Sequence, residues 1–306
     1  MPDQTSTYHV PVLLQSVLAA ALGARRAVDA TLGGGGHAAA LRESGAEVLG
    51  IDRDPDAIAA SRRRLGDQGV RYLEAAFDEP EALAAVAGFR PDFVLLDLGV
   101  SSRQLDETGR GFTFRPGAPL DMRMGPTGPT AADLLNGEDE TTLERILAEY
   151  GDERRARRLA REVVRRRARH PFAISDDLVN AIRATLGPKA GPSDFARLFQ
   201  AVRIAVNDEL AGLGRALPAL RDRLVPGGRL AIITYHSGED RLVKRAFREW
   251  AADCICPPRQ PVCTCRGRAL GRVEPRRPIL PAPEEVEANP RARSAKLRIF
   301  QVADAA

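Results

Sequence analysis

Lysine is nearly absent from this sequence: only Lys189, Lys244 and Lys296 occur among 45 basic residues, and the rest are arginine. Long apolar runs are missing too. None nears the roughly 18 residues that a membrane-spanning helix needs, so no membrane partner is expected. Residues 10–22 (VPVLLQSVLAAAL) have the length of a signal-peptide core, but residues 1–9 hold no Lys or Arg and so lack the charged region that precedes one. They read instead as an early helix of a cytoplasmic protein. Cysteine is confined to Cys254, Cys256, Cys263 and Cys265, too local a group to staple a secreted fold.

What is present suits one large domain or two of ordinary size, in a chain of 306 residues. At 44% hydrophobic and 28% charged, it is neither wholly disordered nor a fibrous repeat. Arginine carries a permanent planar charge that pairs bidentately with phosphate. With a net charge of only +4, however, the excess points to nucleic acid only where it clusters. A G+C-rich coding sequence would give the same excess together with the many alanines.

Over the first hundred residues, short apolar strands alternate with helical patterns, as in a parallel α/β sheet. Strands are expected at 27–31 (AVDAT), 47–52 (EVLGID), 70–75 and 92–98 (DFVLLDL), and helices at 37–44 and 55–65. The alternation then stops. Residues 101–125 are loop-like, and amphipathic helices are expected at 130–135, 143–150, 153–168 and 176–186. Phe195, Leu198, Phe199, Val202, Val206, Leu210, Leu213 and Leu217 advance by threes and fours, which predicts one long helix back to the sheet. A strand at 229–235, a helix at 239–250 and a strand at 295–302 complete the pattern. Residues 254–293 hold eight of the 22 prolines and read as irregular. The expected division is a sheet domain over 1–124 and 213–306, a helical insertion over 125–212, and a basic Pro/Cys-rich segment over 253–293.

The glycine run 33–36 follows a strand and opens a helix, and Asp52 closes the next strand. This geometry suits a nucleoside cofactor, whose ribose hydroxyls a carboxylate can bind and whose close approach side-chain-free glycines permit. Gly33, Gly35 and Ala38 also fit the loose G-x-G-x-x-A pattern, so NAD remains an alternative at this point. Asp29, just ahead of the glycines, favours S-adenosylmethionine. His37 occupies the place where a phosphate-binding loop would need Lys, which argues against ATP. Asp97 ends the fourth strand, where open α/β sheets put their ligands. Phe77, beyond the third strand, is a candidate for packing on an adenine ring.

A run of blocks then carries a resemblance: HVPVLL (9–14), DATLGGGGH (29–37), IDRDP (51–55), LLDLGVSS (95–102), QLD (104–106), RGFTF (110–114) and PLDMRM (119–124). YGDE (150–153), FQAVRI (199–204), VNDEL (206–210), PGG (226–228), HS (236–237) and NPRARS (289–294) continue it in order. Together these resemble the bacterial ribosomal small-subunit RNA cytosine 4-amino methyltransferases, the MraW or RsmH family, over almost the whole chain. The resemblance implies a class I S-adenosylmethionine-dependent methyltransferase sheet, Rossmann-like, interrupted by a helical domain and acting on a cytidine of the decoding region. It implies that Gly35, Gly36, His37, Asp52, Phe77, Asp97 and Gln104 bind the cofactor. The partner it implies is small-subunit ribosomal RNA, free or assembled.

Methyl transfer to cytosine needs a hydrogen-bond acceptor on a weakly nucleophilic amino group. Asp97 is the first candidate and the neighbouring backbone carbonyls are the second; His236, right after the fifth strand, is a further candidate for base contact or proton acceptance. Phe112, Phe114 and Tyr235 are candidates for stacking on the base. Residues 154–169 hold nine arginines against Glu162 as the only acid, and Arg165, Arg166 and Arg167 are the expected RNA contacts. The paired C-x-C spacing of the four cysteines leaves a four-thiolate zinc site, free thiols and a redox disulfide open. A methyltransferase for DNA or another RNA, a NAD-dependent dehydrogenase and a noncatalytic RNA-binding assembly factor are the competing readings.

Overall fold

The computed structural model describes residues 11–257, 259–260 and 262–305. The start of the expected first helix and the His9 end of the block at 9–14 lie outside the described residues; the helix itself runs over Leu14–Ala20. By its internal packing the chain forms two compact units, one of residues up to Gly99 together with Leu210 onward, the other Val100–Glu209.

The first unit is built on strands β1 (Arg26–Asp29), β2 (Glu47–Asp52), β3 (Val70–Glu74), β4 (Phe93–Asp97), β5 (Arg229–Thr234), β6 (Gly271–Val273) and β7 (Lys296–Val302), in the order β3-β2-β1-β4-β5-β7-β6. β1 to β5 pair in parallel, and β7 is antiparallel to both β5 and β6. This is the expected class I methyltransferase sheet. Because side chains alternate across a strand, a strand buried on both faces must be apolar throughout. In β4, Val94 and Leu96 pack on one side with Val28, Ile232 and Phe247, while Phe93 and Leu95 pack on the other with Ala27, Leu41 and Ile233. The strand order reverses between β1 and β4, which opens a crevice beyond their carboxyl ends.

The helices of the second unit run over Ala131–Gly137, Glu140–Glu149, Ala156–Arg167, Ser175–Leu186 and Pro192–Val206, after a short one at Ser102–Asp106. Phe112, Leu120 and Met122 are buried in the same core as Leu143, Leu159, Leu178 and Leu198. The loop-rich stretch before residue 125 therefore belongs to the helical unit, and the boundary falls at 99/100 instead of 124/125.

One expected element is two. The helix read across residues 195–217 ends at Val206, and a second runs over Glu209–Arg221. Asn207 Nδ2 donates to the carbonyls of Met122 (2.8 Å) and Arg203 (2.9 Å), its Oδ1 accepts from Met124 N–H (2.8 Å), and Asp208 takes a left-handed φ of 51°. The side chain thus trades helix continuation for loop anchoring. The segment read as irregular also contains β6 and a short helix at Pro283–Ala288.

Candidate active site

Two acids end the strands that flank the crevice. Asp29 closes β1 and is 1% exposed; Asp97 closes β4 with its side chain 23% exposed, so Asp97 is the one open to a ligand. Its backbone N–H donates to Thr31 Oγ1 at 2.6 Å. The Tyr235 hydroxyl donates to Asp97 Oδ1 at 2.8 Å, and His37 Nε2 lies 3.5 Å from Asp97 Oδ2. Both carboxylate oxygens are thus approached from within the protein.

The electrostatics follow from burial and proximity. Burial raises the Asp29 carboxyl from an ordinary 3.8 to about 6, against the opposing pull of His37. For His37 burial acts downward, but the Asp97 and Asp29 carboxylates outweigh it and the net shift is upward. Burial, then the charge of Asp97, holds the Tyr235 phenol well above 10, so it remains a hydrogen-bond donor. The arrangement concentrates negative charge at the crevice and fixes the direction of one carboxylate.

The glycine turn is tied to the second strand by Asp52. Its Oδ2 accepts from Gly33 N–H (2.8 Å) and its Oδ1 from Asp54 N–H (2.9 Å), while burial pushes its pKa up. Ser61 Oγ donates to the Gly33 carbonyl at 2.9 Å. Gly35 has a φ of +72°, and a Cβ there would sit 2.8 Å from Ser61 Oγ. Gly36 abuts Pro11, so its missing side chain serves packing as well. His37 is 5% exposed; its Nε2 faces Asp97 Oδ2 at 3.5 Å, and its Nδ1 is buried without a hydrogen-bond partner among the described residues. A buried imidazole with one nitrogen unsatisfied beside a glycine turn fits a polar ligand at this place. Phe77 is half-buried against the sheet core.

Other expected site residues are engaged elsewhere. Gln104 belongs to the second unit, where its Oε1 accepts from Ser101 N–H (2.9 Å) and caps its own short helix. Phe112 is core in that unit, and Phe114 packs edge-on to Phe195 (5.9 Å) and Phe199 (6.0 Å), which makes neither a free stacking ring. His236 caps the helix Ser237–Trp250: Nδ1 accepts from Gly238 N–H (3.2 Å), and Nε2 lies 3.2 Å from Glu239 Oε1.

In the arginine-rich helix Ala156–Arg167, Arg165 and Arg166 share Glu162, each within 2.7 Å, and Arg167 Nη1 donates to the carbonyls of Leu135 (2.8 Å) and Glu138 (2.6 Å). The exposed stripe is Arg157, Arg158, Arg161 and Arg165, opposite the buried Ala156, Leu159, Ala160 and Val163; within it Arg165 pairs with Glu162 and Arg161 lies 3.5 Å from Glu140. Sequence reasoning named Arg165 of this stripe but not Arg157, Arg158 or Arg161, because charge density alone does not tell which arginines face outward. It also missed the pairing of Tyr235 with Asp97. The signal lies in the β4–β5 register, where Asp97 pairs Ile233, two residues before Tyr235.

Residues 6–303 match the family described as MraW methylase. The chain belongs to that family. Among its relatives, the ribosomal RNA small subunit methyltransferase H of Gemmatimonas aurantiaca is 59% identical over 305 residues, 98% of this chain and 97% of that protein. The protein of the same name from Heliobacterium modesticaldum is 48% identical, covering 95% and 97%. A solved rRNA methylase from Streptococcus thermophilus is 12% identical, with a TM-score of 0.38 over 95% of each chain. As an MraW methylase, the chain is an S-adenosylmethionine-dependent methyltransferase.

Proposed function

We propose that this protein methylates the exocyclic 4-amino group of a cytidine in the decoding region of small-subunit ribosomal RNA, in the cytoplasm. The observation that carries the reading is the Asp97 carboxylate at the end of β4, partly open and held by the Tyr235 hydroxyl at 2.8 Å. Relatives bearing the name ribosomal RNA small subunit methyltransferase H support the substrate class.

In this reading Gly35, Gly36 and His37 border the cofactor, Asp52 receives the ribose hydroxyls, Phe77 packs on the adenine, and Asp29 lies toward the methionine end. When bound, S-adenosylmethionine supplies a methyl group made electrophilic by a sulfonium. Asp97 accepts a hydrogen bond from the amino N–H of cytosine, which favours the pyramidal nitrogen whose lone pair attacks, and it takes the proton released. Tyr235 occupies Oδ1 and so directs the remaining lone pairs toward the acceptor. Base edges inside a duplex are out of reach of such a site, so the cytidine is presented unpaired or flipped out. The stripe Arg157, Arg158, Arg161 and Arg165 contacts RNA phosphates and sets the register.

The test is to map N4-methylcytidine in ribosomal RNA from cells with and without this protein. Loss of the mark at one decoding-region cytidine on deletion supports the reading. An unchanged map, or loss of a mark on DNA or another RNA, overturns the substrate assignment.

A further inference from the structure

The four cysteines lie far in sequence from the acids of the active site and play no part in its chemistry. They stand in the connection between the helix Ser237–Trp250 and the edge strand β6. Their Sγ atoms all fall within 4.8 Å of one another. Individual separations are 3.5 Å (Cys263–Cys265), 3.8 Å (Cys254–Cys263), 3.8 Å (Cys254–Cys265) and 3.9 Å (Cys256–Cys263).

These distances discriminate between the three states that the spacing leaves open. A disulfide requires about 2.05 Å between sulfurs, and no pair is near it. Zinc binds thiolate at about 2.3 Å, and the edge of a tetrahedron with that radius is about 3.8 Å. Four of the six separations match the second figure, and the other two lie within 4.8 Å. Free thiols would need some other force to converge, and this loop has little to offer: Ile255 is 44% exposed and Val262 69%. A segment without its own core requires a cross-link to hold one shape.

A backbone N–H also points at the cluster. Ile255 N–H donates to Cys265 Sγ at 3.3 Å. Such a donor stabilises charged sulfur and fixes ligand direction in metal sites. The loop is anchored at its base as well. Leu270 N–H donates to the Trp250 carbonyl (2.8 Å), Ala269 N–H to Asp253 Oδ1 (3.2 Å), and Arg266 to the carbonyls of Glu249 and Ala252.

We propose that Cys254, Cys256, Cys263 and Cys265 form a closed four-thiolate site for one structural zinc ion. Four protein ligands leave no open coordination position, so the ion takes no part in methyl transfer. Its work is to hold the loop that carries Arg259, Arg266 and Arg268 and to fasten the edge strand to the preceding helix.

The experiment is metal analysis of the full chain purified without added zinc and without chelator, followed by exchange into cobalt. One zinc per chain is expected, with the thiolate charge-transfer and intense visible absorption of tetrahedral cobalt after exchange. The double variant C254S/C265S should lose the ion while keeping its thermal response to S-adenosylhomocysteine. Should that variant fail to fold, chelator applied to the intact protein should raise hydrogen exchange over residues 254–270 and leave β1, β2 and β4 protected. A protein that carries no zinc and gives no cobalt spectrum overturns the proposal, as does full metal retention by the double variant. So does a pair of disulfides in place of thiols that metal protects.

Discussion

The Tyr235 hydroxyl donates a 2.8 Å hydrogen bond to Asp97 Oδ1 across neighbouring strand ends. The pairing joins the end of β4 to the residue just beyond β5, so the acceptor's direction is set by the sheet. Since Tyr235 remains protonated well above pH 10, the bond persists across the working range.

Tyr235→Phe removes this bond and keeps the ring. A hydrogen bond to a charged group contributes about 1.5–3 kcal/mol, so turnover should fall roughly 10–100-fold. Affinity for S-adenosylhomocysteine should change little. Single-turnover rates and a cofactor titration separate the two, and equal losses in both would assign Tyr235 to cofactor binding.

The buried acid beside the glycine turn sets a pH dependence of stability. Burial raises Asp29 from 3.8 to about 6, so the folded protein holds the proton more tightly than the unfolded chain. The resulting stability is full below about pH 4 and is lost as pH rises through about 6, a change of up to about 3 kcal/mol. His37, also shifted upward, contributes with the same sign, its share being lost as pH rises above its ordinary 6.5. Denaturant titrations from pH 4 to 8 should show Asp29→Asn losing less stability than the parent chain. Parallel curves would contradict this.

Gly35→Ala puts a side chain at a φ of +72° and a Cβ 2.8 Å from Ser61 Oγ. The strain should cost about 1–3 kcal/mol and lower the melting temperature by several degrees. The same shift displaces the turn that Ser61 and Asp52 hold, so stabilisation by S-adenosylhomocysteine should shrink. A full ligand response in the variant would remove the turn from the cofactor site.

The arginine helix contains two kinds of residue that mutagenesis can separate. Reversing Arg157, Arg158 and Arg161 to Glu should weaken RNA binding and lower the salt slope by about 2, at roughly 0.7 per phosphate contact. Arg167→Ala should lower the melting temperature with RNA affinity nearly unchanged, because its guanidinium ties down the carbonyls of Leu135 and Glu138. Filter binding at several salt concentrations, alongside melting curves, checks both.

Periodicity and punctuation made much of the sheet legible. EVLGID is β2, and Asp54-Pro55 opens the next helix where an N-cap and a following proline should, with Asp54 accepting from Asp56 N–H. What failed depends on contacts distant in sequence. The apolar spacing runs unbroken through Val206 and Leu210, and the helix ends where the loop's Met122 carbonyl and Met124 N–H capture Asn207. Phe112 and Phe114 look like ligand rings in a loop, yet Phe112 is buried in the helical core and Phe114 packs against it. His236 carries the same letter as a general base, but the glutamate three residues on makes it a helix cap. The Asp97–Tyr235 pair needed strand order, which no local pattern contains.

The most direct measurement is nucleoside mass spectrometry of unmethylated small-subunit ribosomal RNA after incubation with this protein and isotopically labelled S-adenosylmethionine, in parallel with Asp97→Asn. The account expects label in N4-methylcytidine at one decoding-region position. It expects at least about 100-fold less from the variant at saturating cofactor. Label on a ring carbon or a ribose hydroxyl, or full activity of Asp97→Asn, would contradict it.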